Sequence, residues 1–126
     1  MKTGMQIFIV ALIALSAASC GKEQQVLNKL EGRWKLTDIT SNGGPFCNGC
    51  TIAGPDIEFD ACKPKDDVCT CTFYDTPPAT STYEVSKDGK WLTLSGDTAN
   101  KRSIVKLTDE SLVLGLDIYQ LFYEKQ

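Results

Sequence analysis

From residue 33 onward, apolar and polar residues alternate in short runs. A period of two marks half-buried strands, not helices. The runs are rich in β-branched and aromatic residues and are separated by turn signals. They predict eight strands: Arg33–Ile39, Asp56–Phe59, Cys69–Tyr74, Ser81–Val85, Lys90–Ser95, Arg102–Leu107, Ser111–Leu116 and Ile118–Glu124. Asp88-Gly89 is the clearest hairpin turn. Alternation collects Trp34, Leu36, Ile57, Phe59, Tyr83, Val85, Leu92, Leu94, Val105, Leu107, Leu112 and Leu114 on one face. Arg33, Lys35, Glu58, Glu84 and Lys106 fall on the other. One buried face and one wet face suit an antiparallel meander. Eight such strands close well into an up-and-down barrel, which leaves no free edge. The expected fold class is therefore all-β, an eight-stranded antiparallel barrel. Val26, Leu27 and Leu30 predict a short helical turn before it.

The interior of an eight-stranded barrel is either filled by side chains or holds one small ligand. Trp34, Leu36, Phe59, Tyr83, Leu94, Leu114 and Tyr123 are the candidates for the barrel floor or for lining a ligand cavity. The strands are short, so any cavity is expected to be small.

The pattern is different before residue 21. Lys2 is followed by an apolar run from Ile7 to Leu15, then by Ser16-Ala17-Ala18-Ser19 and Cys20. This is the three-part shape of a secretory signal. The run is too short for a membrane-spanning helix, which needs about 20 apolar residues. Cys20 directly after small residues resembles a lipobox, where signal peptidase II cuts and the thiol receives a diacylglyceryl group. That resemblance implies removal of residues 1–19, lipidation at Cys20, a polar tether over 20–25 and a folded domain over 26–126. A single acyl chain binds a membrane only reversibly, so stable anchoring takes more than one. The membrane would thus be a partner through the N-terminal lipid alone. Lys22-Glu23 weakly resembles the surface-export signal of Bacteroidota lipoproteins. The expected location is the bacterial cell envelope, on the outer membrane, facing the periplasm or the surface.

Removing residues 1–19 from 126 leaves 107, enough for one domain with its own core. The mature chain carries 12 basic and 16 acidic side chains in an interspersed pattern. It has no basic stripe, so nucleic acid is not an expected partner. There is no histidine, which removes the commonest general base and transition-metal ligand. Ser-His-Asp and Cys-His catalysis are thereby excluded. No phosphate-binding glycine loop or metalloprotease motif is present. An enzyme is the least expected class, and no cofactor or metal is expected.

Leu30-Glu31-Gly32-Arg33-Trp34-Lys35-Leu36 places a Gly-x-Trp at the start of the first strand. It is followed by Ile57-Glu58-Phe59, Gly89-x-Trp91-Leu92-Thr93-Leu94, Lys106-Leu107-Thr108 running into Ser111-Leu112-Val113-Leu114, and an aromatic closing strand, Phe122-Tyr123-Glu124-Lys125. In order and spacing these pieces resemble the lipocalin-like domain of small Bacteroidota lipoproteins. The resemblance implies a lipocalin-like barrel in which Trp34 packs across one end and Gly32 lets the chain turn in from a short helix. No arginine follows the last strand to stack on Trp34, as one does in true lipocalins.

Five cysteines remain after Cys20: Cys47, Cys50, Cys62, Cys69 and Cys71. An exported small domain favours disulfides. Cys62 and Cys69 flank a hairpin loop and are well placed to pair. Cys69 and Cys71 share a face two residues apart, which suits two different partners, and Cys71 with Cys47 or Cys50 would tie down the first long loop. An odd count leaves one thiol over, or one intermolecular bond. Zinc held by Cys47-x2-Cys50 with Cys69-x-Cys71, and redox chemistry at Cys47-Asn48-Gly49-Cys50, are the other readings. Two functions fit the whole. One is a binding module that holds a small apolar or amphipathic molecule in the barrel mouth. The other is a structural or interaction protein of the envelope with a filled barrel, whose loops, including Phe46 and Ile52, bind another protein.

Overall fold

The computed structural model describes residues 21–66, 68–94 and 101–126. The expected signal segment, Cys20 and the loop expected between the fifth and sixth strands lie outside them. A helix, α1, spans 21–30. It is followed by β1 (Gly32–Ser41), β2 (Gly44–Pro45), β3 (Ile57–Phe59), β4 (Cys69–Phe73), β5 (Ala79–Val85), β6 (Trp91–Leu94), β7 (Lys101–Leu107), β8 (Ser111–Leu116) and β9 (Tyr119–Lys125). All pairings are antiparallel between sequence neighbours, except that β3 pairs with β1 past the two-residue β2. β9 returns to β1, from Trp34↔Lys125 to Ser41↔Tyr119. That pairing closes an eight-stranded barrel, with β2 as a short flap on the end of β1.

The eight predicted strands are all present. The helix is longer than the expected single turn. It begins at residue 21 and takes in Gly21–Gln25, the stretch read as a tether. These residues are good helix formers after the glycine, and Gln24 donates to Asn28 one turn on, at 2.7 Å. Leu27 and Leu30 are buried against the barrel. Among the described residues, no helix is long and apolar enough to cross a membrane.

Two bulges decide which side chains enter the barrel. In β1 the register shifts between Leu36 and Asp38, so Ile39 pairs with the inward Leu121. In β7 it shifts between Ile104 and Lys106. One extra residue flips every side chain beyond it to the other face. Val105, expected inside, is therefore 52% exposed, and Ile104 packs on the core in its place. The flip also reaches Arg102. It pairs with the fully buried Leu92 and so points into the barrel.

Candidate functional site

The barrel has a closed end and an open end. The closed end holds α1, the β3–β4 hairpin and the 86–90 turn. Trp34 is fully buried there. Its Nε1 donates to the Leu30 carbonyl at 2.8 Å, satisfying one of the carbonyls that every helix C-terminus leaves without an intrahelical donor. The Lys125 ammonium lies 5.2 Å from the centre of the Trp34 ring and donates to the Lys29 carbonyl at 3.2 Å. A lysine here also meets the negative end of the helix dipole. Gly32, between helix and strand, has φ +123°, and a Cβ there would sit 2.7 Å from the Lys125 side chain. The Gly-x-Trp pair and Lys125 thus seal the floor together.

Above Trp34 the described side chains fill the interior. Phe59 and Tyr83 meet edge to face with centroids 5.0 Å apart. The Tyr83 hydroxyl donates to the Asp60 carbonyl at 2.7 Å. Leu94, Leu114 and Tyr123 are buried in the same cluster. Of the seven floor or cavity candidates, six therefore fill space, and Leu36 alone is partly exposed, toward the open end. The described pockets lie outside the barrel: one of about 280 Å³ between α1, the 63–69 loop and β5, and one of about 200 Å³ beside the same loop.

The cysteines pair differently from part of the expectation. Cys62 bonds Cys69, as the hairpin suggests. Cys47 bonds Cys50 and not Cys71. The first loop folds on itself about Gly49, whose φ is +73°, which brings its two thiols together. Among the described cysteines Cys71 is the free thiol, fully buried in the barrel wall. The four-thiolate zinc reading fails with this pairing. Burial, reinforced by Asp60, pushes the Cys71 thiol up to about 11. A buried, protonated thiol is inert. Iodoacetamide at pH 8 is expected to leave Cys71 unmodified in the folded protein and to label it fully in denaturant, read by peptide mass. Its folded value lies above the ordinary 9.0, so its contribution to stability is complete below pH 9 and is lost as pH rises through about 11.

The open end is bounded by the 46–56 loop, the β4–β5 turn and the β8–β9 turn. Leu36, Phe73, Ile104 and Leu121 are partly buried against the core at this side. Ile104, Leu114, Leu121 and Ile39 form one row of paired residues. Arg102 lies one inward position above Ile104. It is half-buried, and its charge is felt at the Tyr123 phenol, where it opposes the upward push of burial. On the rim, Phe46 stacks edge-on to Tyr119 at 5.9 Å and is 50% exposed; Ile118 beside it is 43% exposed. Among the described residues the mouth is thus apolar, with the Arg102 cation set inside. Sequence reasoning missed Ile104 and Arg102 because the β7 bulge inverts the apparent pattern there, whereas Phe73 on β4 and Leu121 on β9 lie in regular alternation.

The same closed barrel occurs in a lipocalin-like protein from Bacteroides uniformis ATCC 8492, with a TM-score of 0.51, 14% identity, and coverage of 78% of this chain and 99% of that one. An uncharacterized protein from Bacteroides eggerthii DSM 20697 matches at TM-score 0.50 and 11% identity, covering 77% of this chain and 99% of the other. The fold is lipocalin-like. No family model and no curated protein matches the chain. At these identities the likeness concerns the lipocalin-like fold alone.

Proposed function

We propose that this is a lipid-anchored envelope lipoprotein whose lipocalin-like barrel holds a small amphipathic molecule at its open mouth, without catalysis. The observation that carries the reading is Arg102, turned inward above a partly buried apolar ring of Leu36, Phe73, Ile104 and Leu121. A ligand site needs such a pairing of apolar walls with few placed polar groups. The lipoprotein part rests on Cys20 and its preceding segment. Two disulfides agree with an oxidising compartment.

The test is native mass spectrometry of the protein exported to a periplasm, compared with its denatured mass. The expected result is a native mass excess that disappears on denaturation and is lost in Leu121→Lys and reduced in Arg102→Gln. Equal native and denatured masses would overturn ligand binding. They would favour the second reading, an interaction protein that docks another envelope protein on the Phe46–Tyr119–Ile118 rim.

A further inference from the structure

The helix begins one residue after Cys20, so a lipid on that cysteine leaves almost no slack between membrane and barrel. The first turn of α1 lies against the 86–90 turn: a Cβ on Gly89 would be 3.3 Å from the Lys22 carbonyl and 3.0 Å from the Val26 side chain. Two residues on from Gly89 is Trp91. It is the second of only two tryptophans and faces outward, 40% exposed. The Lys101 ammonium sits 4.5 Å over its ring. Lys22, Lys87 and Lys90 are exposed around the same turn. The acidic groups nearby are Glu23, Asp66, Glu84 and Asp88. The Asp88 carboxylate is tied into the turn, accepting from the Ser86 hydroxyl at 2.5 Å and the Lys90 amide at 3.0 Å. On the other side of the first helical turn is Val68, 63% exposed, which lines the same pocket as Glu23.

Exposed apolar side chains thus flank the point where the chain leaves toward Cys20, with lysines among them. Tryptophan has an apolar body and one polar N–H, and it suits the headgroup level of a bilayer. Exposed lysines near that level are attracted to anionic lipid.

We infer that the closed end of the barrel, through Trp91 and the lysines around it, rests on an anionic membrane surface and fixes the domain's orientation. This rests on the anchoring at Cys20 proposed above. It turns the mouth, at the opposite end of the barrel, away from the bilayer.

The experiment uses the protein purified from membranes, its mass measured, then reconstituted in phosphatidylcholine–phosphatidylglycerol vesicles. Lipids spin-labelled at the headgroup quench nearby indole fluorescence. Trp34 is buried, and a Trp91→Phe variant gives its signal alone. The expected result is a blue-shifted Trp91 emission on reconstitution and loss of most of the Trp91 component to the spin label. Equal fractional quenching of the protein and the Trp91→Phe variant, in protein whose mass includes acyl chains, would overturn the orientation and leave the anchor standing. A mass without acyl chains would overturn the anchor and the orientation with it.

Discussion

Replacing Trp34 with alanine is expected to cost about 3–5 kcal/mol, the usual range for emptying a large aromatic site in a core. Small domains are stable by about 5–15 kcal/mol in total, so the variant should be largely unfolded well below the wild-type midpoint. The cost has three sources at one place. The ring is fully buried and fills the floor. Its N–H satisfies the Leu30 carbonyl at the end of α1. Its face carries the Lys125 ammonium that also binds the Lys29 carbonyl. Trp34→Phe separates these. It keeps most of the apolar volume but leaves a helix-end carbonyl without its donor, which costs about 1–3 kcal/mol when the group stays buried. Urea denaturation followed by circular dichroism reads both values. An alanine variant that loses less than about 1 kcal/mol, far below the usual core range, would show that the floor collapses onto the vacancy and that Trp34 is not its keystone.

The fold was legible because most strands obey simple alternation. β3, β5, β6 and β8 bury the residues that a period of two selects, Ile57, Phe59, Tyr83, Val85, Leu92, Leu94, Leu112 and Leu114. Their patterns carry the barrel without help from long-range detail. The helix was legible only at its apolar end, since Leu27 and Leu30 mark a buried stripe and Gly21–Gln25 show none. Those polar residues are helical because a longer helix lies along the 86–90 turn, a contact between segments far apart in sequence.

The site was less legible, and for one physical reason. A bulge changes the face of every residue beyond it, and nothing local in Ser103-Ile104-Val105-Lys106 announces one. Both Ile104 and Val105 are acceptable core residues, so alternation from Leu107 selects Val105. The structure selects Ile104, and with it Arg102, through pairing to β8 and β6. The role of Lys125 escaped notice for a different reason. The floor needs a cation that reaches the Trp34 ring and the helix end, and a lysine within β9 meets both needs. The cysteines were half legible. The Cys62–Cys69 pair follows from a hairpin, whereas Cys47–Cys50 depends on a turn in a loop without regular structure.

Removal of the Cys62–Cys69 bond in a Cys62→Ala/Cys69→Ala variant is expected to lower stability by about 2–4 kcal/mol. Loop-closure entropy for a ring this short supplies about 2.5 kcal/mol of that. The remainder comes from position. Cys62 belongs to the buried cluster, and the bond holds the loop whose Asp60 carbonyl accepts the Tyr83 hydroxyl. The hairpin is tied again at Asp60, whose amide donates to the Thr70 carbonyl at 3.0 Å and whose carboxylate accepts from the Thr70 hydroxyl at 2.6 Å. These bonds keep the native pairing of β3 and β4 when the sulfurs are gone, so the variant should fold with a lowered urea midpoint. Cys47–Cys50 closes a smaller ring in an exposed loop, and its removal is expected to cost less than about 2 kcal/mol. Access gives the same order under reductant: dithiothreitol should open Cys47–Cys50 first, because attack by a thiolate requires approach to the sulfur. Peptide mass mapping after partial reduction and alkylation reads the order directly. Opening of Cys62–Cys69 first, or a larger loss of stability from the loop pair, would mean that the Cys-rich loop and not the β3–β4 hairpin is what the disulfides secure.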